Sequence, residues 1–175
     1  MYFKVSKKDF LNALTVVSRA ISTYSPLPAF SGIKIEAGDN VLTLTGSDSD
    51  MSIQTLVKKS EEVSLDVRDK GSIVLEAKYI LEIVRKINSD DIEVEIIDGS
   101  LTKISGQNAE FKINGMKASE YPTIDFNRPS DVFTMKSDVL TQIINQTSFA
   151  TSDKETRPVL TGVNFKADGT KLECV

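Results

Sequence analysis

Sliding the sequence against itself by 130 residues lays one segment on another without a gap. Pro28-Ala29-Phe30-Ser31-Gly32-Ile33-Lys34-Ile35-Glu36-Ala37 falls on Pro158-Val159-Leu160-Thr161-Gly162-Val163-Asn164-Phe165-Lys166-Ala167, with Pro, Gly and Ala identical. Phe3 and Val5 fall on Phe133 and Met135 at the same offset, and Phe10, Leu11 and Leu14 fall on Val139, Leu140 and Ile143 once one residue is removed. Self-similarity at a fixed period means a supersecondary unit used more than once, which constrains the fold before any single motif does. The first copy is complete over residues 1–128, and the second starts at 129 and has supplied one helix and about two strands by Val175. So short a segment cannot close a hydrophobic core unaided, so the repeat implies a longer chain. The boundary falls in Asp125-Phe126-Asn127-Arg128-Pro129-Ser130-Asp131, a polar, proline-containing linker. A weaker match lies inside the first copy at an offset of 70, where Phe3, Val5, Phe10, Leu11 and Leu14 meet Ile73, Leu75, Ile80, Leu81 and Val84. It reads either as a strand–helix–strands motif used twice per domain or as coincidence at apolar positions.

Periodicity then places the elements. Ser6 stands three residues before Asp9 in the manner of a capping box, and Phe10, Leu11, Leu14, Val17 and Ile21 follow at helical spacing. A second helix runs from about Ala77 with Ile80, Leu81, Val84 and Ile87 on one face, and a third follows Ser137 with Val139, Leu140, Ile143 and Ile144. Most of the remainder alternates as strands: 31–37, 41–45, 51–57, 62–67, 72–75, 92–97, 101–105 and 110–114. Asp98-Gly99 between two such runs is a hairpin signal. Helices preceding groups of strands give an α+β fold with mostly antiparallel sheet.

The chemistry available to the chain is narrow. At 40% hydrophobic and 26% charged its 175 residues are ordinary globular material. There is no histidine and one cysteine, Cys174. Zinc sites and Ser-His-Asp or Cys-His machinery are thereby excluded, and no internal disulfide can form. The N-terminus has no apolar secretory core and no run is long enough to span a bilayer, so the expected location is cytoplasmic. No phosphate-cradling glycine motif occurs, so no cofactor is expected. Ser47-Asp48-Ser49-Asp50 has the D-x-D spacing of some magnesium sites, but four small polar residues between strands also make a turn.

Charge is unevenly spread over a chain of net charge −4. The first helix carries Lys7, Lys8 and Arg19 against Asp9, and the second carries Lys78, Arg85 and Lys86 against Glu82. The third balances Lys136 with Asp138. A mildly positive helical surface on an acidic body suits weak, salt-dependent contact with phosphates, and nothing resembles an element presented to base edges.

Several segments together resemble one family. These are M-x-F-x-V at the start, L-P-A-F-S-G-I-K-I at 27–35, L-T-G-S-D-S-D-M at 44–51, A-K-Y-I at 77–80, A-E-F-K-I-N-G at 109–115, E-Y-P at 120–122 and E-T-R-P-V-L-T-G-V-N at 155–164. The chain resembles the bacterial sliding clamps, the β subunits of DNA polymerase III, in the family's order and over essentially its whole length. The resemblance implies three similar domains per chain, the third absent here, and two chains joined head to tail as a ring. Such a ring encircles duplex DNA, is loaded by an ATP-driven clamp loader, tethers the polymerase and catalyses nothing itself. It also implies that Lys78, Lys154 and Arg157 face DNA, with solvated surface charge as the plain alternative. At position 24, where the family often has Arg, this sequence has Tyr24. Leu160 aligns with a wall of the groove that accepts clamp-binding peptides, or is strand core. Phe111 and Ile113 match the edge where subunits meet, or are ordinary inward alternation. The rival readings are a β-rich interaction module without nucleic-acid function and a metal-dependent phosphotransferase using Asp48 and Asp50.

Overall fold

The computed structural model describes residues 1–22, 27–127, 129–130, 132–154 and 156–175. They form two compact units, Met1–Asp125 and Phe126–Val175. In the first, β1 (Tyr2–Ser6) leads directly into α1 (Lys7–Val17), followed by β2 (Gly32–Gly38), β3 (Val41–Ser47), β4 (Ser52–Lys58) and β5 (Leu65–Asp69). Then β6 (Gly71–Glu76) leads directly into α2 (Ala77–Lys86), followed by β7 (Asp91–Asp98), β8 (Leu101–Gly106) and β9 (Ala109–Asn114). Every ladder among these strands is antiparallel. The α+β class expected from the sequence is therefore what forms.

The 70-residue offset has a structural meaning. β1–α1 and β6–α2 are the same strand-into-helix unit, the helices starting at Lys7 and Ala77. Each unit is followed by a three-stranded meander, β2–β3–β4 or β7–β8–β9. The leading strands are exchanged: β6 pairs with β2, while β1 lies between β5 and β7. Sheet orders are β4-β3-β2-β6 and β5-β1-β7-β8-β9. Exchange makes the two halves interdependent, since neither sheet is complete without a strand from the other half.

The apolar faces of α1 and α2 and the inner faces of both sheets share one core. Phe3, Phe10, Leu14, Ile33, Ile35, Leu42, Leu44, Ile73, Leu75, Ile80 and Ile92 are fully buried in it. Phe3 meets Phe10 edge to face at 5.7 Å, the strand before α1 closing on the helix it introduces. The helices reach the sheets closely through glycine: a Cβ on Gly46 would overlap the Val17 carbonyl at the end of α1, and one on Gly106 would overlap Ile87 just past α2. Gly99, at φ +55°, makes the Asp98–Leu101 hairpin turn that the sequence signals.

Two local expectations change, and one packing feature is new. Ser6 is the N-cap of α1, but its side chain makes no cap bond. The Lys7 N–H instead donates to the Asp90 carbonyl at 2.8 Å, a partner supplied by the other half. Residues 28–31 are a 3₁₀ turn, Pro28 fixing φ at its start, and the strand begins only at Gly32. A second apolar cluster, which no local sequence pattern announces, lies outside the main core: Tyr121 packs edge to face on Phe30 at 5.4 Å, with Ala29, Val74, Met116 and Ile124. It pins the segment after β9, which bridges to β6 through Val74 and Met116. Burial pushes the Tyr121 phenol up to about 12, with the nearby Ser47 amide opposing only in part. Among the described residues its Oη has no partner at full hydrogen-bond geometry, the Ser47 amide being near but not well placed.

In the second unit, α3 (Ser137–Thr147) begins 130 residues after α1 and ends 130 after it. The helix match therefore needs no gap, so the single-residue deletion inferred from apolar positions alone is wrong. Phe10 corresponds to Leu140 and Leu14 to Ile144. The turn Pro28–Ser31 recurs as Pro158–Leu160. The hairpin β10 (Phe165–Ala167) and β11 (Leu172–Cys174) pairs Phe165 with Cys174 and Ala167 with Leu172. In the first unit the equivalent pairs are Ile35 with Leu44 and Ala37 with Leu42, the same register moved by 130 residues. The counterpart of β1 is not a strand: β1 is held between β5 and β7, and this unit has no such neighbours among the described residues. For the same reason Leu140 and Ile144 are 37% and 43% exposed, where Phe10 and Leu14 are at 0%.

Candidate nucleic-acid and partner interfaces

α1 packs beside α2, and the 3₁₀ turn Ser18–Ala20 extends α1. The two helices with this turn carry six cations: Lys7, Lys8, Arg19, Lys78, Arg85 and Lys86. They are not equivalent. Lys7 Nζ donates to the carbonyls of Ile87 at 2.6 Å and Arg85 at 3.2 Å. It thus caps the last turn of α2, satisfying carbonyls that have no partner within the helix and placing positive charge at the negative end of its dipole. Glu82 takes two more. Its Oε1 pairs with Arg85 at 2.7 Å and its Oε2 with Lys86 at 3.3 Å, at i,i+3 and i,i+4 spacing. Lys8, Arg19 and Lys78 are left without an ion pair among the described residues. Lys78, expected to face DNA, sits exposed in the first turn of α2.

In the second unit the loop after α3 carries Lys154 and Arg157, both exposed. The Lys154 N–H donates to Ser152 Oγ at 3.1 Å, a bond that shapes the turn without using the ammonium. Arg157, at φ −135° and ψ 86°, lies outside the helical region that Pro158 disfavours for it, and its carbonyl accepts the Leu160 N–H at 2.9 Å. Leu160 belongs to this 3₁₀ turn and not to a strand, at 51% exposure, beside Val159 at 84%. The fold thus brings Arg157 and Leu160 to the two ends of one turn. Tyr24 lies outside the described residues.

Phe111 and Ile113 lie on β9, which among the described residues pairs only with β8 and so ends the five-stranded sheet. They stand opposite Ile104 and Thr102, both at 0% exposure, so they point toward the core side of the sheet. At the edge that side is no longer fully covered: Phe111 is 39% exposed and Ile113 is partly buried. Inward alternation and an apolar edge therefore coexist here. Lys112 and Glu110 face the other way and pair at 3.2 Å.

Asp48 is committed to a turn. Its Oδ1 accepts the N–H groups of Asp50 at 3.1 Å and Met51 at 2.8 Å. Among the described residues no group of three acidic or sulfur side chains is placed to hold a metal ion. Also among the described residues, no helix is long and apolar enough to cross a membrane.

Comparison with known proteins gives the same answer along the chain. Residues 1–125 match the domain family described as DNA polymerase III beta subunit, N-terminal domain, and residues 134–175 match its central domain. The beta sliding clamp of Halalkalibacterium halodurans is 40% identical over 99% of this chain and 46% of its own length. That of Bacillus subtilis is 38% identical over 99% and 47%. The crystal structure of the Bacillus subtilis DNA polymerase sliding clamp superposes with a TM-score of 0.95 at 37% identity, covering 99% of this chain and 46% of that one. The beta chain of Streptococcus pneumoniae DNA polymerase III gives 0.93 at 31% identity over 99% and 46%. The chain spans about half the length of the curated relatives it matches. With family matches over both units and the same fold in solved clamps, the chain belongs to the DNA polymerase III beta subunit family.

Proposed function

We propose that this chain supplies the first domain, residues 1–128, and the beginning of the second, 129–175, of a ring-shaped DNA sliding clamp. In such a ring the clamp encircles duplex DNA without reading its sequence. It acts as a non-catalytic, cytoplasmic processivity factor of the DNA polymerase III complex, with the polymerase α subunit, the clamp loader and a second clamp subunit as partners.

The observation that carries this reading is the charge left over once the internal partners are counted. Among the described residues Lys8, Arg19 and Lys78 have no ion pair, and they stand on the paired helices of a chain whose net charge is −4. A few non-specific phosphate contacts give association that is weak and salt-dependent, which lets a ring slide. Lys154, Arg157 and Tyr24 would add contacts from the second unit and the loop after α1. Leu160 would form one wall of a peptide groove, its half-exposed position on a turn supporting that role over strand core. Phe111 and Ile113 would meet the neighbouring subunit, since an apolar edge strand is an aggregation liability unless a partner covers it. The Asp48 turn bonds count against the phosphotransferase alternative, because the carboxylate oxygen that would bind metal already holds two amides.

The test is a chimaera in which residues 1–175 replace the matching part of the Bacillus subtilis clamp. Lys78→Ala with Arg157→Ala should shorten its lifetime on circular primed DNA and flatten the log–log salt slope by about one unit per lost phosphate contact. Dimer mass should not change. Unchanged lifetime and slope would place both residues among ordinary surface charges.

A further inference from the structure

On the α1–α2 surface, Glu82 is the residue whose placement the DNA-facing reading does not explain. A surface built to attract phosphates gains nothing from a carboxylate among its cations, yet both Glu82 oxygens are engaged, with Arg85 at 2.7 Å and Lys86 at 3.3 Å. We propose that Glu82 is a built-in phosphate surrogate that occupies Arg85 and Lys86 and so sets how tightly the helix pair holds DNA; this rests on the reading that α1 and α2 face the duplex.

The geometry favours competition over permanent neutralisation. The side chains of Arg85, Lys86 and Glu82 are 56%, 74% and 46% exposed, so DNA phosphate can reach the same cations. Exposed pairs of this kind are individually weak, and a phosphate can displace the carboxylate. Arg85 and Lys86 stand in the last turn of α2, where the helix dipole favours positive charge independently of the carboxylate. A cation exchanging between an internal and an external anion gives up less on leaving a phosphate than one that must return to water alone. Sliding needs contacts that break easily, and Glu82 supplies a resting partner between them. Lys7 is not part of this exchange, because its ammonium is held by the α2 carbonyls.

Glu82→Gln keeps the size of the side chain and removes its charge. The chimaeric clamp carrying residues 1–175 is titrated with a fluorescent duplex of about 30 base pairs over a series of sodium chloride concentrations from about 20 to 150 mM, and anisotropy gives affinity and its salt slope. Glu82→Gln should tighten binding about threefold to tenfold at the lowest salt and steepen the log–log slope by about one to two units, as Arg85 and Lys86 become available. Glu61→Gln removes the same charge from an exposed carboxylate that has no ion pair among the described residues, and it should leave the slope where it was. An equal response of the two variants, or no response to Glu82→Gln, overturns the proposal. Lys78→Ala separates this from the reading beneath it. If Lys78→Ala weakens binding while Glu82→Gln does nothing, the helices face DNA and the surrogate role fails. If neither responds, the DNA-facing reading itself fails.

Discussion

Lys7 and Lys78 occupy the same kind of position, early in a positively charged helix, but only Lys7 has its ammonium engaged by backbone carbonyls, while Lys78 is exposed with no ion pair among the described residues. Lys7→Met keeps the aliphatic stem and deletes the ammonium that bonds the Ile87 and Arg85 carbonyls at 2.6 and 3.2 Å. Losing a cation at a helix C-terminus costs about 0.3–1 kcal/mol, and leaving a half-buried carbonyl without its charged donor raises the total to about 1–2 kcal/mol. Water reaches the Arg85 carbonyl and holds the figure at the lower end of what a buried pair would lose. For a chain of this size that corresponds to a fall in Tm of about 2–8 °C. Thermal unfolding followed by circular dichroism measures it, alongside the salt slope for a short duplex. The expected result is a lower Tm with an unchanged slope, the mirror image of Lys78→Ala, which should flatten the slope and leave Tm alone. If Lys7→Met leaves Tm where it was and weakens DNA binding as Lys78→Ala does, the separation of capping cations from phosphate-facing ones is wrong.

Two further expectations follow from packing and burial. Gly46→Ala should cost about 1–3 kcal/mol in urea denaturation, because the new methyl meets the Val17 carbonyl and the end of α1 must shift; stability equal to the parent would mean the helix–sheet spacing is looser than described. The Tyr121 phenol is raised from 10.0 to about 12, so the folded state favours its neutral form. The stability this contributes is fully present below pH 10 and is lost as pH rises through 12. An absorbance titration should contain a late step at about pH 12, and Tyr121→Phe should remove that step with little loss of stability below pH 10. A titration without a late step that Tyr121→Phe removes would contradict the burial.

What was legible in the sequence was whatever repeats or alternates locally. The 130-residue period predicts the β10–β11 hairpin to the register, because a strand pair joined by a turn such as Asp168-Gly169 is a local object. The family resemblance, and not the period, singles out Lys78, Arg157 and Leu160, which lie on α2 and on the turn before β10. The helix alignment slips by one residue because apolar positions on a helix match equally well at neighbouring offsets, whereas Pro28 on Pro158 admits only one. The capping box at Ser6 misleads because the true partner, Asp90, is 83 residues from Lys7 in sequence, and no local pattern reports it. The exchange of β1 and β6 between sheets is invisible for the same reason. At the charged surface the sequence names the cations but not which of them are free, and Arg19 falls in the 3₁₀ turn after α1 and not in the helix itself. Spacing alone could have paired Glu82 with Arg85 and Lys86, but only the fold takes Lys7 out of the count. Tyr121 stands in the E-Y-P segment as a family signature, with nothing to reveal that it packs on Phe30.

Topological linkage to DNA is the most direct measurement of the central claim. The chimaeric clamp carrying residues 1–175 is loaded on nicked circular DNA, isolated by gel filtration, and the circle is then cut once. A ring that encircles the duplex stays with the circle at a salt concentration where phosphate contacts alone would be lost, and it leaves promptly from the cut ends. A folded, dimeric chimaera that dissociates equally fast from circular and linear DNA would contradict the account.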